Sequence, residues 1–461
     1  MTQIKTIVAI STSPGVGGIG VIRISGPQSR KVLKRLWRNR RVPVDNFATH
    51  RIYLGKIVNP STEEFLDNCL CVWMRAPHSY TGEDVIEIQG HGSPLLMEKI
   101  LSAALEAGAI LALPGEFTKR AYLNGKIDLA QAEAVADVIS ASSEAGLAQA
   151  KEHLTGRFSK RISEFRSELV RLRAFVEASV DFPEEDIEMI QKEGILNRLS
   201  PIQVALTELL STYHEGRLHR EGVRTILVGR PNAGKSSLLN ALLGSNRAIV
   251  HHVPGTTRDV IEEGCLLGGY VFRLFDTAGL RKTTDEVESI GVARSEELIE
   301  NADLILWVID ASSPLSKEDV DYLSKLDFSK TLLCLNKIDL GIVWNPESFL
   351  LNKKEKEMLS PISALRGDGL KELQNSMVNW VKRQSSREAG GMRITKLRHK
   401  EALGKSLQAL GAATNALQQR IPVELVALHL RKAHEALGEI TGSDIDEELL
   451  DTIFSEFCIG K

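Results

Sequence analysis

The sequence predicts a multidomain chain, α/β plus all-α, in which a mainly parallel α/β domain is inserted into a helical domain. Three observations predict it. At 461 residues the chain is about three domains long, at roughly 150 residues per domain. Beyond Gly222 the runs "TILVG", "VFRLFD", "LILWVID" and "TLLCLNK" are apolar without alternation, as in parallel strands buried on both faces. Flanking that region on both sides are stretches rich in Ala, Leu, Glu and Arg with helical periodicity.

Residues 1–124 read as mixed α/β. "KTIVAIS", "GVIRIS", "RIYLGKIV" and "CLCVWM" are short β-rich runs separated by Gly, Pro and Asn, and "SPLLMEKILSAALEAG" follows as a helix stopped by Gly108. Residues 125–220 form the first helical part, interrupted at "DFPEED" (Asp181 to Asp186). The inserted domain spans 221–384 and ends at the polar hinge "SSREAGG". Helix returns over 385–461, so the two helical parts form one domain whose ends accept the insertion.

Hydrophobic residues make up 43% of the chain and charged residues 25%, which excludes a disordered or collagen-like polymer. A net charge of −3 argues against a protein whose main task is coating nucleic acid. The five cysteines, Cys69, Cys71, Cys265, Cys334 and Cys458, are odd in number and scattered, which fits a reducing compartment and neither a disulfide framework nor a zinc site. Cys69 and Cys71 should share one strand face and pack. No stretch approaches the roughly 18 apolar residues of a membrane span, and the N-terminus lacks a basic, then apolar, leader. A cytoplasmic location without membrane contact is expected.

"GRPNAGKS" (Gly229 to Ser236) follows an apolar strand and opens a helix, the context a phosphate-binding loop requires. Backbone N–H groups of Asn232, Ala233, Gly234, Lys235, Ser236 and Ser237 would cradle phosphates. The Lys235 ammonium would reach the β and γ oxygens, and the Ser236 hydroxyl would ligate Mg²⁺. "PGTTRD" supplies Gly255, Thr256 and the second Mg²⁺ ligand, Thr257. "FDTAG" places Asp276, Thr277, Ala278 and Gly279 beside a γ-phosphate. In "NKID", Asn336 and Lys337 precede Asp339, whose carboxylate accepts from guanine N1–H and N2, groups that adenine does not offer. The unpaired alternative costs roughly 10⁴ in discrimination. "SAL" (Ser363, Ala364, Leu365) adds backbone contacts to the base. The inserted domain is therefore a Ras-like, P-loop GTPase domain that binds GTP and GDP.

Where many small GTPases carry a water-orienting glutamine after D-x-x-G, this chain has Leu280. Unaided hydrolysis would be slow, on the order of 10⁻⁴ per second. Arg281, Glu286 and Glu288 lie downstream in "LRKTTDEVESIG", and a solvated charged loop explains each of them equally well. Arg258 is the one evident arginine near the site. Asn232 offers a side-chain oxygen for a monovalent cation in the place of an arginine finger.

Over nearly its whole length the chain resembles the MnmE/TrmE family of tRNA-modification GTPases. The resemblance runs through "PGVGGIGVIRISG", "SYTGEDVIEIQGHG", "PGEFTKRAYLNGKIDLAQAEAVADVI", "DFPEEDI", the G motifs, "DTAGLRKTTDEVESIG" and the terminal "CIGK". It implies a folate-binding α/β N-terminal domain that also dimerises, a helical domain assembled from both flanks, and the inserted G domain. It further implies work on the wobble uridine of certain tRNAs with an FAD-dependent MnmG-type partner in a heterotetramer, the carbon coming from methylene-tetrahydrofolate. By the same resemblance the (5-formyl or methylene) tetrahydrofolate site comprises Arg23, Glu87, Lys126 and Lys461. Hydrolysis is implied to be K⁺-stimulated, with Asn232 and the loop residues His251, Val253 and Thr256 around the K⁺, and with Glu288 positioning the water. Two departures stand out. His251 replaces a common Thr, and Ser93 replaces a glycine in "GHGSP".

The terminal "FCIGK" is implied to reach the folate site. Cys458 is then a candidate nucleophile or a positioning group, the second being favoured, since covalent catalysis needs an exposed thiol of lowered pKa. "SRKVLKRLWRNRR" (Ser29 to Arg41) and "RITKLRHKEALGKS" (Arg393 to Ser406) read either as phosphate contacts or as solvated faces. The competing assignments are a ribosome-assembly or checkpoint GTPase without RNA chemistry, and a folate-dependent one-carbon transferase with an idle G domain. Neither accounts for both the N-terminal blocks and the intact guanine motifs.

Overall fold

The computed structural model describes residues 5–180, 187–244, 247–248, 262–276, 299–316, 319–320, 327–344, 358–384, 391–419, 421–443 and 445–461. They divide into two compact units, Met1–Ala136 with Leu154–Arg166 and Glu435–Lys461, and Asp137–His153 with Ser167–His434.

In the first unit, short runs rich in apolar and β-branched residues build β1 (Ile7–Ile10), β2 (Gly17–Ser25), β4 (Ile52–Val58), β5 (Phe65–Met74) and β6 (Val85–Gly92), with short β3 (Trp37–Arg38) and β7 (Ile110–Leu111) at the edges. The sheet order is β3-β4-β5-β6-β2-β1-β7. Every pairing is antiparallel except β1 with β7. The helices α1 (Ser29–Leu36) and α2 (Pro94–Glu106) bury their apolar stripes against this sheet, with Leu33, Leu36, Met97 and Ile100 packed on Ile22, Ile24, Ile57, Ile86 and Ile88. Cys69 and Cys71 point into that core. Burial pushes the Cys69 thiol up to about 12, so the expected packing role holds and reactivity is suppressed. Strand β6 is a run that periodicity did not single out, yet it carries Glu87. Further along, α3 (Glu116–Leu123) and the start of α4 (Leu129–Ser140) lead to a small apolar cluster. There Leu129 and Ala132 meet Leu450, Phe454 and Phe457 from the end of the chain.

The helical run continues as α5 (Glu144–Leu154), α6 (Arg157–Val180), α7 (Ile187–Ser211) and α8 (Tyr213–Glu221), with the "DFPEED" segment outside the described residues. In the second unit, α7 packs against the helix Leu397–Gln418. A seven-stranded sheet follows, built from β8 (Val223–Val228), β9 (Arg247–Ala248), β10 (Glu262–Leu267), β11 (Tyr270–Asp276), β12 (Leu304–Asp310), β13 (Thr331–Asn336) and β14 (Leu359–Pro361), in the order β14-β13-β12-β8-β11-β10-β9. Five strands, β14 through β11, run parallel, and β10 and β9 extend the sheet antiparallel. Leu304 to Ile309 of β12 and all of β13 are buried, which is why neither strand alternates. Helix α8 leads into β8 through buried ion pairs. Arg217 bonds Asp303, and Glu215 accepts from Arg393 at 2.7 Å with each side chain about 5% exposed. Among the described residues no helix is long and apolar enough to cross a membrane.

Candidate functional site

Between β8 and the helix α9 (Lys235–Leu243) the backbone makes a tight loop over Gly229 to Gly234. Its conformation depends on residue type at two places. Gly234 has φ +96°, and a Cβ there would lie 2.1 Å from the Asn336 amide nitrogen; at Gly229 it would lie 2.2 Å from the Val308 carbonyl oxygen. Asn232 adopts φ +64°, the left-handed conformation asparagine tolerates better than most residues, and its side chain is exposed. Lys235 is buried, and its ammonium donates to the Gly229 and Arg230 carbonyls at 2.8 Å each. Ser236 and Ser237 lie in the first turn of α9. The Ser236 hydroxyl donates to the Asp276 carboxylate at the end of β11, 2.8 Å away. A hydroxyl and a carboxylate at that separation are oxygen donors suited to the inner and outer shells of Mg²⁺, while the N-terminus of α9 suits the phosphate such an ion would neutralise.

The ends of β13 and β14 come to the same loop. The Asn336 amide donates to the Ala233 carbonyl at 2.9 Å, and its oxygen accepts from the Ala364 N–H at 2.9 Å. This one side chain, 2% exposed, therefore ties the phosphate loop to the "SAL" segment. Asp339 sits in a short 3₁₀ turn after Lys337, which has φ +66°. A hydrogen bond from buried Ser363 holds the Asp339 carboxyl below the usual carboxylate range, with Arg366 and Lys337 adding to the effect. It is thus ionised and ready to accept. Ala364 and the exposed Leu365 complete the turn.

Motif reading missed two side chains here. Asp310, at the end of β12, accepts from the Lys337 ammonium at 2.6 Å and from the Ser312 hydroxyl at 2.6 Å. Burial opposes its ionisation, and these partners outweigh it and lower its pKa. Asp319, 5% exposed, accepts from Arg230 at 3.3 Å and from the Ser316 hydroxyl at 2.8 Å, anchoring the side chain of a phosphate-loop residue. The cationic partners, Lys337 and Arg230, lie 27 and 89 positions from their carboxylates in sequence, so no spacing signals those pairs. His251, Val253, Gly255, Thr256, Thr257, Arg258, Thr277, Ala278, Gly279, Leu280, Arg281, Glu286 and Glu288 lie outside the described residues.

In the first unit the structure brings Arg23, Glu87 and Lys461 together. Arg23 on β2 and Glu87 on β6 are register partners, and the guanidinium donates from Nε at 3.0 Å and approaches from Nη2 at 2.9 Å. Its Nη1 donates to the Gly460 carbonyl at 3.3 Å, which also accepts from the Ser11 hydroxyl at 3.1 Å. The Tyr80 and Phe117 rings lie 5.7 and 5.8 Å from the Arg23 guanidinium carbon. Burial lowers the pKa of Lys461, as does the neighbouring Arg23 charge, against the pull of Glu87 and Cys458. Cys458 is exposed. Lys126 is placed apart from the trio in its bonding, with its ammonium donated to the Pro77 carbonyl at 3.0 Å. Sequence reading also missed the polar network behind Arg23, in which Ser25 meets Thr81 and Glu83 at 2.7 Å each and Arg120 bridges Glu83 and Glu116 at 2.9 and 2.8 Å. The chemistry of this donor set, one carboxylate and two cations with aromatic rings beside Arg23, is of the kind that would suit a pterin with a glutamyl tail: Glu87 would accept from the ring's N–H groups and the cations would meet the tail.

Comparison with known proteins identifies the family of the chain. The family description "MnmE helical domain" matches residues 129–458, and "GTP-binding protein TrmE N-terminus" matches residues 6–126. Relatives that carry the name tRNA modification GTPase MnmE include the following three. That of Heliobacterium modesticaldum is 45% identical over 462 residues, covering 99% of each chain. Those of Clostridioides difficile and Alkaliphilus oremlandii are 43% and 41% identical over 457 residues, again covering 99% of both chains. With such identity along its full length, the chain belongs to the MnmE family of tRNA modification GTPases.

Proposed function

We propose that the chain hydrolyses GTP as one component of a machine that modifies the wobble uridine of tRNA at carbon 5. The observation that carries the nucleotide half is Asn336. By bonding both Ala233 and Ala364 it ties the phosphate loop to the turn that would read the base, with ionised Asp339 on the turn after β13. Lys235 and the loop N–H groups would hold the phosphates, and Ser236 with Thr257 would hold Mg²⁺, which supplies charge neutralisation to the β and γ oxygens. Asn232, with the loop of His251, Val253 and Thr256, would take a K⁺ ion, and Glu288 would orient the attacking water. Such an arrangement supplies what Leu280 does not.

The Arg23, Glu87 and Lys461 cluster supports a tetrahydrofolate site, to which Lys126 would add a cation once released from the Pro77 carbonyl. Folate bound there supplies a one-carbon unit; Glu87 would orient the ring, and the cations would hold the tail. Homodimerisation, an FAD-dependent MnmG-type partner and a cytoplasmic place of work complete the reading, on the strength of family membership. Mass spectrometry of wobble-uridine nucleosides, in tRNA from cells with and without the chain, tests it. Loss of the modified uridine on deletion is expected, and its persistence would sink the assignment.

A further inference from the structure

Strand β3, at the sheet edge, and the turn that follows it border a groove of about 720 Å³ lined by Lys34, Arg38, Arg40, Lys56 and the amides of Asn39 and Asn68. The turn is built rather than loose. The Asn39 side-chain oxygen accepts from the Arg41 and Val42 N–H groups at 2.8 and 3.1 Å, and its amide donates to the Leu54 carbonyl at 2.8 Å. Beneath it, Trp37 is buried with its indole N–H on the Val42 carbonyl, and it fits only because Gly55 faces it: a Cβ there would lie 2.3 Å from the ring.

The charge of this groove is one-sided. Asp45 is the only carboxylate in its lining, and Lys34 and Arg30 already meet it. Arg38 is paired with Glu63, whereas Arg40 and Lys56 are exposed and have no carboxylate partner among the described residues. Cations interleaved with amides on a rigid scaffold suit the phosphates and hydroxyls of a nucleic-acid backbone. The overall net charge of −3 then confines such a contact to a local patch.

We propose that this groove contacts the sugar–phosphate backbone of RNA, with Arg40 and Lys56 each neutralising a phosphate; the inference rests on the preceding reading that the chain acts on tRNA. The test measures binding of fluorescently labelled bulk bacterial tRNA to the full chain between about 50 and about 200 mM KCl. Arg40→Glu with Lys56→Glu should weaken binding at least roughly tenfold and reduce the salt slope by about two, while Arg51→Glu, an exposed cation outside the groove lining, should match wild type. GTP hydrolysis should be unchanged in all of them. The neutral pair Arg40→Gln with Lys56→Gln should lose about the same slope, which keeps the test valid if charge reversal disturbs folding. No tRNA binding by wild type, an unchanged slope in the double variants, or an equal loss in Arg51→Glu would each overturn the inference. If it fails while deletion still erases the modified uridine, only the groove assignment falls; if the nucleosides survive deletion, the tRNA reading itself falls.

Discussion

Arg23 on β2 and Gly460, next to last in the chain, are joined by a hydrogen bond of 3.3 Å across 437 positions of sequence. The tail is therefore held against the Arg23–Glu87 pair, and Gly460 is the residue that lets it enter. Its φ is +93°, and a Cβ would lie 2.3 Å from the Ile10 carbonyl oxygen. Lys461 arrives beside Arg23 and Glu87 for this reason, and the exposed Cys458 is left two residues short of the contact.

Gly460→Ala should dislodge the tail, at a cost of about 1–3 kcal/mol from the strained dihedral and the close contact. Isothermal titration with 5-formyl-tetrahydrofolate should show affinity reduced tenfold or more, the rough equivalent of 1.4 kcal/mol. Cys458→Ser should bind the folate like wild type. Equal affinity for Gly460→Ala and wild type would show that the tail does not enclose the ligand.

The lowered pKa of Lys461 has a definite pH signature. Folding disfavours its charged form, so the penalty is in place at neutral pH. It is relieved as pH rises from the lowered folded value towards the ordinary 10.5, because the unfolded chain holds the proton longer in that window. Thermal unfolding of wild type should therefore gain on Lys461→Met as pH is raised from about 8 to about 10. Parallel curves would refute the burial of the ammonium.

Asp339→Asn exchanges an acceptor for a donor in front of the base. GTP affinity should fall by a factor of about 10³ to 10⁴, and a base with a carbonyl in place of the guanine 2-amino group should be favoured. Competition between GTP and xanthosine triphosphate reads this directly. Asn336→Ala should weaken both nucleotides alike, since it leaves the Ala233 carbonyl and Ala364 N–H without their shared partner.

Glu215→Ala should destabilise without touching either site. It leaves the Arg393 guanidinium, 5% exposed, buried without this carboxylate, a change that costs about 3–5 kcal/mol in comparable pairs. A chemical denaturation midpoint lowered with an unchanged slope is the expected result.

Glu288→Ala should lower kcat for GTP by about 10² with little change in KM, the pattern of a group that acts only in the transition state. Replacing K⁺ by Na⁺ should lower kcat in wild type, and Asn232→Ala should abolish the difference between the two ions. A wild-type rate indifferent to the cation would remove K⁺ from the site.

The nucleotide cradle was legible in the sequence because it is local. Gly229 to Ser237 span one turn and the first turn of one helix, and their shape follows from φ angles that only particular residue types adopt easily. The buried parallel strands were legible for a similar reason, since burial on both faces leaves an unbroken apolar run in the sequence. The same holds for the two buried cysteines, whose spacing of two on a strand puts them on one face. The rest depended on which distant segments pack together. Arg23 meets Glu87 because β2 and β6 pair in one register of several that local composition allows, and a shift of one residue would turn either side chain to the opposite face. Asp310 with Lys337, Asp319 with Arg230, and Asn39 with the Leu54 carbonyl are likewise contacts that no spacing in the sequence announces. Local dihedral preference and periodicity decided the elements and the phosphate loop. Register and long-range packing, which are collective properties of the folded chain, decided the cluster around Arg23 and the basic groove.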